Sequence, residues 1–221
     1  MKVIFDMDGV LLDSERVYRE GWLYAAGKNG LPEDLMEEAV IRATGVSDEA
    51  EKAIMIGTFG GREGYVFENT FRDCRGYFHG VVDRGEMPVK PGARELLGAL
   101  RERRIPLGLA SSTPMPLLEK EMKKTGLYGF FDVIVSGDMA SKSKPDPEIF
   151  LLCAGKLGAE DPDTFVIEDS HNGIRAAAAA GMKGIMVPDR LPATREMKEL
   201  AFRVEPSLHA VLAYFETLWN G

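Results

Sequence analysis

The sequence predicts an α/β protein with a doubly wound parallel sheet and an inserted all-helical unit. Short apolar runs recur along the chain and alternate with amphipathic helical patterns. This alternation is typical of parallel strands joined by right-handed crossover helices. One long stretch near the N-terminus breaks the alternation, because it contains helical patterns and no convincing strand. The first observation predicts the sheet, and the second predicts the insertion.

Five apolar runs are predicted strands, because strands buried on both faces of a parallel sheet appear in the sequence as continuous apolar segments. They cover residues 2–5, 107–110, 133–135, 165–167 and 184–187. Four helices are predicted between the later strands, over residues 91–103, 114–125, 147–157 and 172–180. Gly181 follows the last of these helices in a C-cap position.

The inserted unit is predicted from four further helical patterns, at residues 15–29, 34–43, 48–57 and 65–82. The domains are therefore a Rossmann-like core of residues 1–14 and 86–221 and a helical cap of residues 15–85. We expect the cap to lie over the carboxyl ends of the strands, where open α/β sheets bind ligands.

Composition excludes several classes of partner. The 221 residues carry a net charge of −8, which argues against nucleic acid or an anionic membrane as the ligand. No apolar run approaches the ~20 residues that span a bilayer, and the N-terminus lacks the pattern of a secretory signal. Cys74 and Cys153 are interpreted as thiols of a reducing cytoplasm rather than as a disulfide. A monomer is the default expectation.

Two acids follow the first predicted strand. Asp6 comes directly after the strand, and Asp8 lies two residues further on, before Gly9. A carboxylate at the strand end can attack phosphorus to form an aspartyl-phosphate, and a second one can move the protons of the leaving group and the water. The alternative is an Asx-turn that only closes the strand.

Two serines, Ser111 and Ser112, follow the next core strand. Hydroxyl and backbone N–H groups at the start of a helix can hold a phosphate, but serine there more often only caps the helix.

A lysine is the candidate cation of the site. Lys144 precedes Pro145, which restrains its backbone towards extended geometry. A held ammonium would neutralise the charge of a transferring phosphoryl group and of clustered carboxylates. Lys142 is the second choice, and a solvated loop lysine is the alternative.

Two further acids, Glu168 and Asp169, end the strand at residues 165–167. Buried acids need a compensating cation or hydrogen-bond donors. With Asp6 and the backbone carbonyl of Asp8, Asp169 would form an oxygen site of the kind that Mg²⁺ prefers, and Glu168 would be a direct or an indirect ligand. The alternative is that Asp169 or Ser170 caps the following helix.

In combination, these four motifs resemble the haloacid dehalogenase-like hydrolase superfamily, and in particular its beta-phosphoglucomutase-like phosphatase group with a helical cap. The resemblance covers roughly residues 1–215. It implies a Rossmann-like core, a mobile cap and Mg²⁺. It also implies residue roles: the nucleophile Asp6, the acid/base Asp8, the phosphate ligand Ser111, the lysine Lys144 and the magnesium acids Glu168 and Asp169.

Three positions depart from the mutases of this group. Asp48 follows Gly45-Val46-Ser47 where mutases have an arginine, Tyr18 replaces a histidine, and Pro114 replaces a lysine. The sequence therefore predicts a Mg²⁺-dependent phosphatase of a small phosphorylated metabolite, in the first instance a sugar phosphate. A beta-phosphoglucomutase-like phosphotransferase is the alternative. A non-catalytic relative is disfavoured because the acids and the lysine are all present.

Overall fold

The computed structural model describes residues 1–158 and 163–220, without the side chain of residue 48. The chain forms two compact units, one made of Met1–Asp13 with Pro88–Gly221 and the other of Ser14–Met87. The predicted boundaries, after residues 14 and 85, lie within two residues of these limits. The prediction of hydrolysis used the negative charge of Asp48, and the side chain of this residue is not among those that the structure describes.

A six-stranded parallel sheet forms the first unit, with strand order β3-β2-β1-β4-β5-β6. The strands are β1 Lys2–Phe5, β2 Leu107–Ala110, β3 Val133–Val135, β4 Thr164–Glu168, β5 Lys183–Met186 and β6 Arg203–Val204. The chain builds the sheet outward from β1 in both directions, first through β2 and β3 and then through β4 to β6. The carboxyl end of β1 is therefore a topological switch point, the place where open α/β sheets bind ligands.

The fold class predicted from the sequence is confirmed, and all five predicted strands are present. They were recognisable because their side chains are apolar on both faces, and β2 and β4 are buried along their whole length. The sixth strand was not predicted. It has two residues, Arg203 and Val204, and both are exposed at the edge of the sheet, so it carries no apolar signal.

Six helices accompany the described part of the sheet. They are α5 Ala93–Glu102, α6 Met115–Lys124, α7 Glu148–Lys156, α8 His171–Ala179, α9 Arg195–Leu200 and α10 Leu208–Asn220, with short 3₁₀ turns at Tyr128–Phe130 and Gly137–Met139. A main core cluster joins α7 and α8 to the sheet and includes Phe150, Val166 and Ala177. Close packing of α7 is possible because Gly108 has no side chain, since a Cβ there would lie 2.4 Å from Cys153 Sγ.

The second unit contains the four predicted helices: α1 Ser14–Lys28, α2 Glu33–Ala43, α3 Asp48–Phe59 and α4 Phe67–Arg84. Trp22 is fully buried at the centre of its core. The indole N–H of Trp22 and the hydroxyl of Tyr18 each donate a 3.0 Å hydrogen bond to a different oxygen of Glu51. One carboxylate thus satisfies two aromatic donors inside this unit.

Within the described ranges, no helix combines the length and apolar character that crossing a membrane requires. Cys74 and Cys153 are both buried free thiols.

Candidate active site

The carboxyl edge of the sheet collects side chains from the ends of three strands. Asp6 follows β1, and its N–H donates to the carbonyl of Ile167 in β4 at 3.0 Å. Ser111 follows β2, and its N–H donates to the carbonyl of Val135 in β3 at 3.1 Å. Because the parallel ladders continue to the strand ends, these groups are held by backbone hydrogen bonds rather than by loop packing.

Lys144 lies in the loop before α7, and its peptide bond to Pro145 is cis. Its ammonium donates to Asp6 Oδ1 at 2.5 Å, to Glu168 Oε1 at 2.8 Å and to the carbonyl of Ala110 at 3.3 Å. Three acceptors use the three donors of the ammonium. The structure thus brings the predicted lysine to two of the four predicted acids.

Asp8 faces the end of β2. Its Oδ2 accepts hydrogen bonds from Thr113 Oγ1 at 2.8 Å and from Ser111 Oγ at 3.3 Å. Ser111 Oγ also accepts from the N–H of Thr113 at 3.0 Å, so the segment closes into an ST-type turn. Thr113 was not selected from the sequence, although it directly follows the two serines. Its only sequence signal was a third hydroxyl in the same motif.

Two of the candidate residues from the sequence, Ser112 and Lys142, are exposed. Ser112 is exposed, and its side chain takes no part in the bonds that join Ser111, Thr113 and Asp8. Its carbonyl lies against Gly137, where a Cβ would approach to 2.0 Å. Lys142, the second-choice lysine, is also exposed and pairs with Asp146 at 3.2 Å.

Asp169 lies against the loop that follows Asp8. Gly9 has a φ of 76°, and a Cβ built on it would lie 2.3 Å from Asp169 Oδ2. Only glycine therefore combines this left-handed turn with the close approach of the carboxylate. The contact brings Asp169 to the same loop that carries Asp6 and Asp8.

Glu168 has both oxygens occupied by the protein. Oε1 accepts from Lys144, and Oε2 accepts from the N–H of Ser170 at 2.8 Å and from its hydroxyl at 2.9 Å. Ser170 Oγ in turn accepts from the N–H of Gly173 and caps α8. Helix capping, the alternative function of this motif, is therefore present together with the acid cluster. For Glu168 these bonds favour an indirect role beside a metal.

The electrostatics of the site are dominated by burial. Burial raises the pKa of Asp6 to about 8, opposed by Lys144 and assisted by the charges of Glu168 and Asp8. Burial also raises the pKa of Asp169 well above its ordinary value, with Glu168, Asp6 and Asp189 adding to it. Burial opposes the charge of Lys144, but Asp6 and Glu168 outweigh it and raise the lysine pKa. Asp6 and Glu168 thus share one ammonium, and the charge of Asp8 also acts on Asp6.

This donor set fits a hard divalent cation. In the described part of the chain, no group of three His, Cys, Asp or Glu side chains forms a ready metal cage. Mg²⁺ does not require one, because it is bound through one or two carboxylates and keeps several waters. Asp6 and Asp169 are two such carboxylates, and burial raises the pKa of each, with neighbouring acids adding to the shift.

Comparison with known proteins identifies the family. A family model described as haloacid dehalogenase-like hydrolase matches residues 3–181. The chain belongs to the haloacid dehalogenase-like hydrolases. The resemblance inferred from the four motifs is confirmed, and so is the expectation of an enzyme of this family acting on phosphate monoesters.

Among relatives of this hydrolase, a phosphorylated carbohydrates phosphatase of Thermotoga maritima is 35% identical over 83% of this chain and 82% of its own length. A beta-phosphoglucomutase of Bacillus subtilis is 33% identical over 86% of this chain and 84% of its own. A Thermotoga maritima crystal structure with a provisional assignment as beta-phosphoglucomutase superposes with a TM-score of 0.83. It is 31% identical and covers 98% of this chain and 99% of that one.

Proposed function

We propose that this hydrolase is a Mg²⁺-dependent phosphatase that cleaves a small phosphorylated carbohydrate through an aspartyl-phosphate on Asp6. The observation that carries the proposal is the convergence of Asp6, Asp8 and Lys144 at the switch point of the sheet. A nucleophile, a proton donor and a fixed cation are the three parts that phosphoryl transfer to a carboxylate requires.

In the first step, Asp6 attacks phosphorus, and the bond from phosphorus to the ester oxygen breaks. Asp8 donates its proton to that leaving oxygen, so the alcohol departs neutral. In the second step, Asp8 takes a proton from water while the water oxygen attacks the aspartyl-phosphate. Inorganic phosphate leaves, and both carboxyl groups return to their starting states, so atoms and protons balance.

The remaining groups stabilise charge. Lys144 is held 2.5 Å from the nucleophile, where it can compensate the negative phosphoryl oxygens as the new bond forms. We assign the hydroxyl of Ser111 and the backbone and hydroxyl of Ser112 as phosphate contacts. Ser112 supports this because it is the exposed member of the pair.

We assign magnesium to Asp6, the backbone carbonyl of Asp8 and Asp169, with Glu168 acting through Lys144 and Ser170. When bound, Mg²⁺ supplies positive charge to the phosphate oxygens and keeps Asp6 deprotonated. The proposal also includes the helical unit as a substrate cap, a monomeric enzyme and a cytoplasmic location. The two buried thiols support a reducing compartment.

The substrate class is proposed from the relatives, of which one is a phosphorylated carbohydrates phosphatase at 35% identity. A panel of sugar phosphates, polyol phosphates and nucleotides tests it through release of inorganic phosphate with and without Mg²⁺. We expect turnover of sugar or polyol phosphates that EDTA abolishes. Asp6→Asn should remove that turnover while circular dichroism and thermal unfolding stay close to wild type. Turnover confined to nucleotides would contradict the substrate class.

Phosphotransfer is a second candidate, because the Bacillus subtilis beta-phosphoglucomutase is also a relative at 33% identity. Glucose 1-phosphate can be supplied with and without a sugar bisphosphate primer. The proposal of hydrolysis predicts inorganic phosphate as the main product in both cases. Efficient primer-dependent formation of glucose 6-phosphate would instead establish the mutase.

A further inference from the structure

An ion pair outside the four motifs lies at the same edge of the sheet. Lys90 Nζ donates to Asp189 Oδ1 at 2.6 Å, and the two side chains are 21% and 13% exposed. The second oxygen of Asp189, Oδ2, is buried and has no hydrogen-bond partner among the described residues. An orphaned carboxylate oxygen is costly in a protein interior, so this oxygen calls for an explanation.

Two separate connections place Asp189 beside Asp169. The first runs across the sheet: Glu168 is paired with Met186 in the β4–β5 ladder, and the N–H of Val187 donates to the carbonyl of Glu168 at 2.7 Å. Asp189 lies three residues beyond the end of β5 at Met186, and Asp169 directly follows the end of β4. The two acids therefore leave neighbouring parallel strands at the same edge.

The second connection runs through the loop that contains Gly9. The N–H of Lys90 donates to the carbonyl of Leu11 at 2.9 Å, which fixes Lys90 to that loop. Asp169 Oδ2 lies against Gly9 in the same loop. Asp169 and the backbone of Lys90 thus both contact this loop, and the side chain of Lys90 holds Asp189.

We propose that Asp189 is a positioning residue for the magnesium site, whose Oδ2 accepts a hydrogen bond from a water of the metal's hydration shell beside Asp169. Lys90 holds the carboxylate by its other oxygen and sets its orientation. The inference rests on the proposed function, because it requires Mg²⁺ at Asp6 and Asp169.

The chemistry of the ion supports this role. Mg²⁺ gives up its water reluctantly and keeps several water ligands in protein sites. Those waters are donors, and Asp189 Oδ2 is an acceptor that the protein leaves unused. Groups that orient metal ligands from outside the first layer typically change affinity by about 10- to 100-fold when removed.

A simpler explanation is that Asp189 only neutralises Lys90. Under that explanation, loss of Asp189 also weakens magnesium binding, because it leaves an uncompensated ammonium near the cation. Removal of both charges together should then restore the affinity. The double variant Lys90→Met with Asp189→Leu, which leaves no side-chain acceptor at position 189, separates the two explanations.

The test is calorimetric titration of Mg²⁺ into the wild type, Asp189→Asn, the double variant and the control Asp163→Asn. Asp163 is exposed, pairs with Lys183 at 2.5 Å and precedes β4 at the opposite edge of the sheet. Removing it makes the same change in net charge away from the site. Thermal unfolding in EDTA verifies that each variant is folded.

We expect Asp189→Asn and the double variant each to bind Mg²⁺ about tenfold more weakly than wild type, and Asp163→Asn to be unchanged. Wild-type affinity in the double variant, or an equal loss in the Asp163 variant, would overturn the role of Asp189. A wild type that binds no Mg²⁺ would overturn the metal assignment of the proposed function, and this inference with it.

Discussion

The ammonium of Lys144 lies 2.5 Å from Asp6 and 2.8 Å from Glu168, and none of the three side chains is more than 9% exposed. One cation therefore faces two buried carboxylates, with two further acids beside them. Such a cluster is expected to be poorly stable as a purely structural element, because buried charges recover their desolvation free energy only when they are well compensated. Its electrostatics favour a bound cation.

Replacing Lys144 by methionine should destabilise the fold in a pH-dependent manner. Removing one partner of a buried ion pair typically costs about 3–5 kcal/mol. We expect a loss of this order at pH 8 and a smaller one at pH 5, which lies well below the raised pKa of Asp6, so that this carboxyl group is protonated. Urea unfolding in EDTA measures it. Lys142→Met, at an exposed lysine in the same loop, should change stability by less than about 0.5 kcal/mol; equal losses would contradict this account.

Magnesium binding should release protons. Because burial raises the pKa of Asp6 from 3.8 to about 8, the metal-free protein holds a proton that the cation must displace. Affinity for Mg²⁺ should therefore increase from pH 6 to pH 8. Titrations in buffers of different ionisation enthalpy count the protons released, and no release at pH 6.5 would contradict the raised pKa.

The raised pKa of Asp6 also determines how the free energy of unfolding of the metal-free protein depends on pH. The folded state binds the Asp6 proton more tightly than the unfolded state, so the stability from this group is complete below pH 3.8 and is lost as pH rises through about 8. Unfolding in EDTA at a series of pH values should show this decline in the free energy of unfolding of the wild type. In Asp6→Asn, the part of the decline that comes from Asp6 should be absent. Parallel curves for the two proteins would contradict the assignment.

Gly9→Ala should damage the site more than the backbone strain alone explains. Gly9 combines a φ of 76° with a carboxylate that would lie 2.3 Å from a Cβ, whereas Gly181 has a φ of 70° and nothing within 4 Å. Both substitutions cost about 1–3 kcal/mol of backbone strain. Only Gly9→Ala should also displace Asp169 and weaken Mg²⁺ binding. Similar metal affinity in the two variants would show that the contact is unimportant.

The hydroxyl of Thr113 should contribute to catalysis by orienting Asp8. Its loss in Thr113→Val removes a 2.8 Å hydrogen bond, which is worth about 0.5–1.5 kcal/mol or up to about tenfold in kcat. Thr113→Ser keeps the donor and should recover most of the rate. Steady-state kinetics measure both, and failure of serine to rescue would show that the methyl group rather than the hydroxyl matters.

The sheet was predictable because strands that are buried on both faces consist mainly of apolar residues. A buried strand such as β4 has an apolar centre at residues 165–167 whatever it pairs with, and its position fixes where the acids at its end emerge. The two-residue edge strand at Arg203 and Val204 lacks this property, since exposed residues carry no such constraint. The apolar runs in the sequence therefore predicted five strands, whereas the exposed sixth strand has no such run.

The convergence of the proposed site residues was predictable only where those residues followed recognisable strands. Asp6 and Glu168 have that context, and Lys144 has the adjacent proline. The pair of Lys90 and Asp189 is separated by 99 residues, and neither member stands in a distinctive local pattern. A contact of this kind depends on the completed sheet, so no local reading of the chain could have found it.

The covalent step on Asp6 can be measured directly. Wild type and Asp6→Asn can be mixed with Mg²⁺ and a turned-over sugar phosphate, quenched in acid within one turnover, digested and analysed by mass spectrometry. We expect one added phosphoryl group on the wild-type peptide that contains Asp6, and none on the variant. Full phosphatase activity in Asp6→Asn, or a phosphoryl group trapped on another residue instead, would contradict it.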